Sequence, residues 1–162
     1  MRISQYAYFA IFSESMTSAD ITGQLGIEPD GFMVRGSRTT NPPVPKRHSW
    51  EIRSEGLGLR VDEHLDQIVD RLEAHANAIG SLVQELGKEG AQSRGIGSVL
   101  KVVRHFGDDD GEEEDLSVTE LPDGSMFEKL SGQHQLLGWG VSQRVINFLV
   151  ATHAELDIEE YG

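Results

Sequence analysis

Apolar and aromatic residues fill Tyr6 to Phe12 (YAYFAIF) without a break, a run of strand length and composition that reads as a largely buried strand. Ser15, Thr17 or Ser18 can cap a short helix that carries Ile21 and Leu25 on one face, and Gly26 is placed to end it in the left-handed conformation. Ile27-Glu28-Pro29-Asp30-Gly31 then has strong turn chemistry. His48 to Arg53 alternates polar and apolar residues, as a half-buried strand does. The clearest period in the chain is helical. Val61, Leu65, Ile68, Val69, Leu72 and Ala76 form one stripe at period 3.6, while Asp62, Glu63, Asp66, Asp70, Arg71 and Glu73 lie on the opposite face. A second short helix, about Asn77 to Leu86, buries Ile79, Leu82, Val83 and Leu86 and stops at Gly87; a loop follows from Gly90 to Gly97. Val99 to Phe106 is a Val-rich strand with a central character.

The pattern decays from Gly107 to Gln135, where only Leu116 to Leu121 has strand quality, turning at Pro122-Asp123-Gly124. It returns with Ser142 as an N-cap for a helix burying Val145, Ile146, Leu149 and Val150, and with Glu155 to Tyr161 as a final edge strand. The order is β-α-β, a helical pair, then β-insert-α-β. It predicts the α+β class: a two-layer sandwich, mainly antiparallel, with helices on one face and two split β-α-β halves related to the ferredoxin-like plan. The 162 residues fit a single domain, 1–162, with an acidic insertion at about 107–135.

Charge changes the picture more than size does. The chain has 27 acidic and 14 basic residues, a formal net charge of −13. Such a field repels nucleic acid and anionic membrane surfaces, and attracts a basic protein partner. No cysteine is present, which removes disulfides, thiolate metal sites and a cysteine nucleophile. The N-terminus lacks the apolar core of a signal peptide, and no stretch approaches the length needed to span a bilayer. The expected location is the cytoplasm.

Against this acidity, Gly31 to Trp50 contains no acidic residue, four of the 14 basic residues and three of the five prolines. Arg35, Arg38, Lys46 and Arg47, with Trp50 at the end of the stretch, are the candidate ligand- or partner-binding residues. The loop is read in three ways: as a connection kept extended by proline, as a contact surface for an acidic group, or as a segment folding back on the acidic helix face of Asp62, Glu63, Asp66 and Asp70. Arg35 beside Gly36 is the best placed of these residues to reach a carboxylate or phosphate bidentately.

Other chemistry finds no support. Asp108-Asp109-Asp110-Gly111 resembles the middle of a calcium loop, yet aligning Gly111 with the sixth position puts Phe106 and Ser117 where carboxylates are required. The six histidines (His48, His64, His75, His105, His134 and His153) include no pair three or four apart, so no metal site is expected. There is no nucleophile elbow, no Walker spacing and no dinucleotide fingerprint. No catalytic residue and no cofactor are assigned.

Tyr6–Phe12, Ile21-Thr22 with Leu25-Gly26-Ile27-Glu28-Pro29, Arg35-Gly36, Trp50, Glu63-His64-Leu65 and the closing Ala154–Tyr161 together resemble the DUF4279 family of bacterial proteins of unknown function. The resemblance covers about residues 5–106 and 137–161. It implies no catalytic residue and no cofactor. It also implies a binding role, because some members are suspected to be immunity proteins that neutralise a partner toxin. The expected function is therefore a non-enzymatic protein-binding module of immunity type. The alternatives are a small-ligand or metal-dependent activity in a cleft near Arg35 and Trp50, and a self-associating structural domain.

Overall fold

The computed structural model describes residues 1–89 and 97–162. Its first element, β1 (Arg2–Ser13), extends the aromatic run at both ends. Helix α1 (Ser18–Leu25) starts at Thr17, which forms a reciprocal capping box with Asp20, and ends at Gly26 with φ +69°, its N–H returning to the Thr22 carbonyl. The turn after it leads into a short strand, β2 (Gly31–Met33), and then β3 (His48–Ser54). Helix α2 (Val61–Leu72) buries the predicted stripe, and its Glu63 side chain accepts the Arg60 N–H at 2.7 Å. A 3₁₀ turn, Glu73–His75, bends the chain into α3 (Ala76–Glu89), so Ala76 opens the second helix instead of closing the first. Strand β4 (Gly97–Phe106) follows; the loop expected at Gly90–Gly97 lies, apart from Gly97, outside the described residues. Short strands β5 (Glu112–Glu113), β6 (Thr119–Glu120) and β7 (Met126–Phe127) precede α4 (Gln143–Thr152) and β8 (Ala154–Tyr161). Among the described residues no helix is long and apolar enough to cross a membrane.

The main sheet runs β2-β3-β1-β4-β8, with β5 added to β1. All pairs are antiparallel except β4 with β8. Strand β1 lies between β3 and β4, so the passage from β3 through α2 and α3 to β4 is a split β-α-β unit. The last passage, β4-α4-β8, joins parallel neighbours directly, so the splitting occurs once. The expected α+β class, mainly antiparallel with helices packed on the sheet, is the observed one.

Strand alternation sorts the side chains onto two faces. Ala7, Phe9 and Ile11 of β1, Trp50 and Ile52 of β3, and Leu100 and Val102 of β4 lie under the helices, in one core with Ile21, Leu65, Ile68, Leu72, Ile79, Val145 and Phe148. Each large aliphatic or phenylalanine side chain among them contributes about 1.5–3 kcal/mol by leaving water. Helix α4 differs from expectation: Ile146 and Val150 are 42% and 70% exposed. The buried stripe is Val145, Phe148 and Thr152, because Phe148 meets Phe9 edge to face at 5.4 Å and that contact sets the helix rotation.

Candidate functional site

The acid-free stretch folds as edge strand β2 and a closed loop. Gly36, at φ +73°, donates its N–H to the Pro45 carbonyl at 2.9 Å, and Val44 donates to the Ser37 carbonyl at 2.7 Å, so the two limbs of the loop bind each other. Within it, Thr40 Oγ1 donates to the Pro42 carbonyl at 3.1 Å, and the Asn41–Pro42 peptide is cis. The loop is tied to itself; it does not fold back on α2, whose Arg71 pairs instead with Asp30 and whose Asp70 pairs with Arg144.

The five candidate residues have different surroundings. The Arg35 guanidinium donates to the Glu14 carbonyl at 3.0 Å and lies 4.0 Å from the Glu14 carboxylate, while its backbone N–H meets His48 Nδ1. Arg47 lies over the Phe12 ring at 4.9 Å. Arg38 and Lys46 are exposed, with no charged partner among the described residues. Trp50 has 0% exposure and its indole Nε1 donates to Thr22 Oγ1 at 3.2 Å, across the sheet from solvent. It holds α1 to β3 and offers no surface to a ligand. Any cleft near Arg35 would therefore be lined by residues other than the Trp50 ring.

A groove does exist, on the opposite face of the sheet. The loop's Thr39, Thr40 and Pro42 form one wall, and Tyr6, Tyr8, Glu51 and Arg53 form the floor of a space of about 780 Å³. The Tyr6 and Tyr8 rings are near parallel, 6.4 Å apart at 20°. Glu51 is buried beside them; it accepts from Ser49 Oγ at 2.8 Å and from the Arg53 fork at 2.7 and 3.2 Å. Gly31 on β2 is what lets that guanidinium lie flat, since a Cβ there would sit 3.1 Å from its atoms. Next to the groove, Lys101 lies between Asp157 and Glu159. Its burial opposes the charge, yet the hydrogen bonds to Glu159 and Asp157 outweigh it and hold the ammonium well above its usual range. Burial raises the Tyr8 phenol, as do the nearby carboxylates, against the opposing pull of Lys101, so the hydroxyl stays protonated.

These floor residues were not among the candidates, because the unbroken apolar run Tyr6–Phe12 reads as a largely buried strand. The signal was the alternation inside the run: Tyr6, Tyr8 and Phe12 share parity and are half-buried, while Ala7, Phe9 and Ile11 are buried completely.

A second polar cluster lies under the helices. The Ser54 hydroxyl donates to Gln67 Oε1 at 2.7 Å and so accepts from His64 Nδ1 at 2.9 Å; this assigns the Nδ1–H tautomer and leaves Nε2 buried without a partner. Burial pushes the His64 pKa down, against the raising influence of Glu63. The unfolded chain takes up this proton near pH 6.5, as an exposed histidine does, while the folded chain takes it up only at lower pH. Stability from this group is therefore full above about pH 6.5 and falls as the pH drops towards the folded value, by at most about 1.4 kcal/mol per pH unit. In a histidine NMR titration the His64 ring is expected to titrate below the ordinary histidine range; a midpoint at or above about 6.5 for His64 would overturn the assignment. With no opening to solvent at Ser54 or His64, this pair is structural.

The acidic segment is anchored at one end and exposed at the other. Arg2 of β1 pairs with Glu113, and the Met1 amino group lies 3.6 Å from buried Glu114. His134, also buried, bonds the Glu112 carbonyl at 2.9 Å. Beyond this, β6 and β7 form a separate two-stranded sheet around the Leu121–Ser125 turn, with Lys129 paired to Asp115 at its base. Six large apolar residues on and around this hairpin are exposed: Leu116, Val118, Leu121, Met126, Phe127 and Leu130, at 40–65%. Among the described residues no three acidic, His or Cys side chains are grouped as a metal ion would require.

The family model described as a domain of unknown function, DUF4279, matches residues 3–119. The match takes in the acidic run, the first part of the expected insertion, and stops before α4 and β8. No curated protein and no solved structure matches the chain. The chain belongs to the DUF4279 family.

Proposed function

We propose that this DUF4279 protein is a non-enzymatic protein-binding module that takes a basic partner, in the manner of an immunity protein, through the β6–β7 hairpin and its flanks. One observation carries the reading. Residues 107–135 hold ten acidic side chains and one basic, a net charge of −9 out of −13, and the same segment exposes six large apolar side chains. Exposed apolar residues on a two-stranded sheet are what a partner covers, and the surrounding carboxylates select a cationic one and speed its approach. Arg38 and Lys46 stand free at the other end of the sheet as secondary contacts for an acidic patch on the partner.

The test is affinity capture from native lysate, followed by binding kinetics on the captured partner. The association rate is expected to fall about tenfold or more between roughly 50 and 500 mM salt. Phe127→Ser, at a residue 50% exposed, is expected to weaken the complex by about tenfold without moving the unfolding midpoint. The reading fails if repeated captures return no partner, or if the partner's binding ignores both salt and the Phe127 substitution.

A further inference from the structure

The outer face of the sheet carries an imbalance that the hairpin does not explain. Beside the groove, among the described residues, two cations are each already held by two carboxylates: Arg53 by Glu51 and Glu55, Lys101 by Asp157 and Glu159. The remaining charge is negative. The aromatic row on the same face shows what such a surface does with a cation. At its far end Arg47 of the chain itself covers the Phe12 ring at 4.9 Å, whereas among the described residues no cation lies over Tyr6 or Tyr8. Those two rings form the floor of the groove of about 780 Å³, a size suited to a small ligand or a long side chain. No described hydrogen bond occupies either phenol oxygen. Glu55, 64% exposed at the rim, has one cation within 4 Å among the described residues, Arg53 at 3.7 Å.

We propose that this groove binds an organic cation, an ammonium or guanidinium group lying against Tyr6 and Tyr8 and neutralised by Glu55 and Glu51. The physical basis is the attraction of a cation to an aromatic face, strengthened where carboxylates stand within a few ångströms and water is partly excluded. The loop wall of Thr39, Thr40 and Pro42 shields the site from one side. An anion is disfavoured because Arg53 is already matched by two carboxylates. The cation can belong to a free amine or to a Lys or Arg side chain of a protein. The site stands whether or not the hairpin binds a partner, since the two surfaces share no residue.

Tyrosine ring resonances of the whole protein report on it directly. Titration with agmatine is expected to give saturable shifts confined to Tyr6 and Tyr8, with a Kd on the order of 1 mM or tighter; the same concentration of 1-butanol is expected to give none. Glu55→Gln, at an exposed rim residue that leaves the fold intact, is expected to weaken agmatine at least threefold, and Tyr6→Leu to weaken it further. A capped Gly-Arg-Gly peptide serves as the second arm. Tighter binding of the peptide assigns the site to a protein side chain, and tighter binding of agmatine assigns it to a free amine. The proposal is overturned if butanol shifts the rings equally, if the agmatine shifts grow without saturation across the acidic surface, or if Glu55→Gln leaves the titration unchanged. Loss of partner binding in Phe127→Ser with intact agmatine binding would separate the hairpin from the groove.

Discussion

Trp50→Ala is expected to lower the free energy of unfolding by about 3–5 kcal/mol, the usual range for removing a fully buried large aromatic. The ring has 0% exposure, stands opposite Ile11 in the β1–β3 register, and sends its N–H to Thr22 on α1. Alanine removes the apolar contact and leaves the Thr22 hydroxyl without its partner at the same time. Trp50→Phe separates the two contributions: it keeps most of the volume and is expected to cost about 1–2 kcal/mol, much of it for the lost hydrogen bond. Urea unfolding followed by far-UV circular dichroism measures both, because fluorescence would still report Trp139. The same pair decides what kind of residue Trp50 is. A folded Trp50→Phe protein is expected to bind its partner and agmatine as the parent does. A loss of binding with little loss of stability would make Trp50 a contact residue after all, against its burial.

The two charged regions occupy opposite ends of one strand. Arg2 and Ile3, at the start of β1, pair with Glu113 and Glu112 of the acidic segment; Phe12 and Ser13, at its end, meet Arg47 and His48 of the basic loop. The two pairs are offset by ten positions along the strand, roughly 33 Å at about 3.3 Å per residue. Strand β1 therefore acts as a spacer that holds an acidic pole and a basic pole apart, well beyond the screening length of about 8 Å in physiological salt. Under the proposed function, each pole is presented to a partner as an independent patch, with the acidic one steering a basic protein towards the hairpin.

What the sequence reveals about this fold follows from the range of the interactions involved. The caps at Thr17 and Ser142, the left-handed Gly26 and the α2 stripe are set within a few residues, and each is readable from the residues alone. The face of α4 is not. Val145, Ile146, Leu149 and Val150 form a plausible stripe, and so do Val145, Phe148 and Thr152; only the position of Phe9, more than a hundred residues earlier, selects the second. The same limit hides the groove. Its floor comes from β1 and β3 and its wall from residues 39–42, and their meeting depends on a strand register that no local pattern specifies. Arg35, Arg38, Lys46 and Arg47 were visible as a charge anomaly. That two of them would be engaged, by Glu14 and by Phe12, was not, because both partners precede β2 in the chain and reach the loop only through the sheet.

Gly80→Ala is a change that helix propensity alone recommends and packing forbids. Gly80 lies inside α3, where alanine is favoured over glycine by about 1 kcal/mol in an open helix. Here α3 runs against the end of α4, and a Cβ on Gly80 would fall inside the van der Waals shell of the Ala151 carbonyl oxygen, a backbone atom that no rotamer change can move. The helices must separate, opening the packing of α3 on α4 and straining the His153 cap, whose backbone already sits at φ +54°. The substitution is expected to destabilise the protein by about 3 kcal/mol, at the upper end for overpacking. Gly23→Ala supplies the opposite sign. Gly23 is also helical, in α1, with nothing within 4 Å of its added Cβ, so alanine there is expected to stabilise by about 0.5–1 kcal/mol. Thermal and urea unfolding of the two variants should therefore move in opposite directions. If both rise together, α3 and α4 pack less closely than their backbones indicate, and Gly80 is a propensity defect instead of a point of contact.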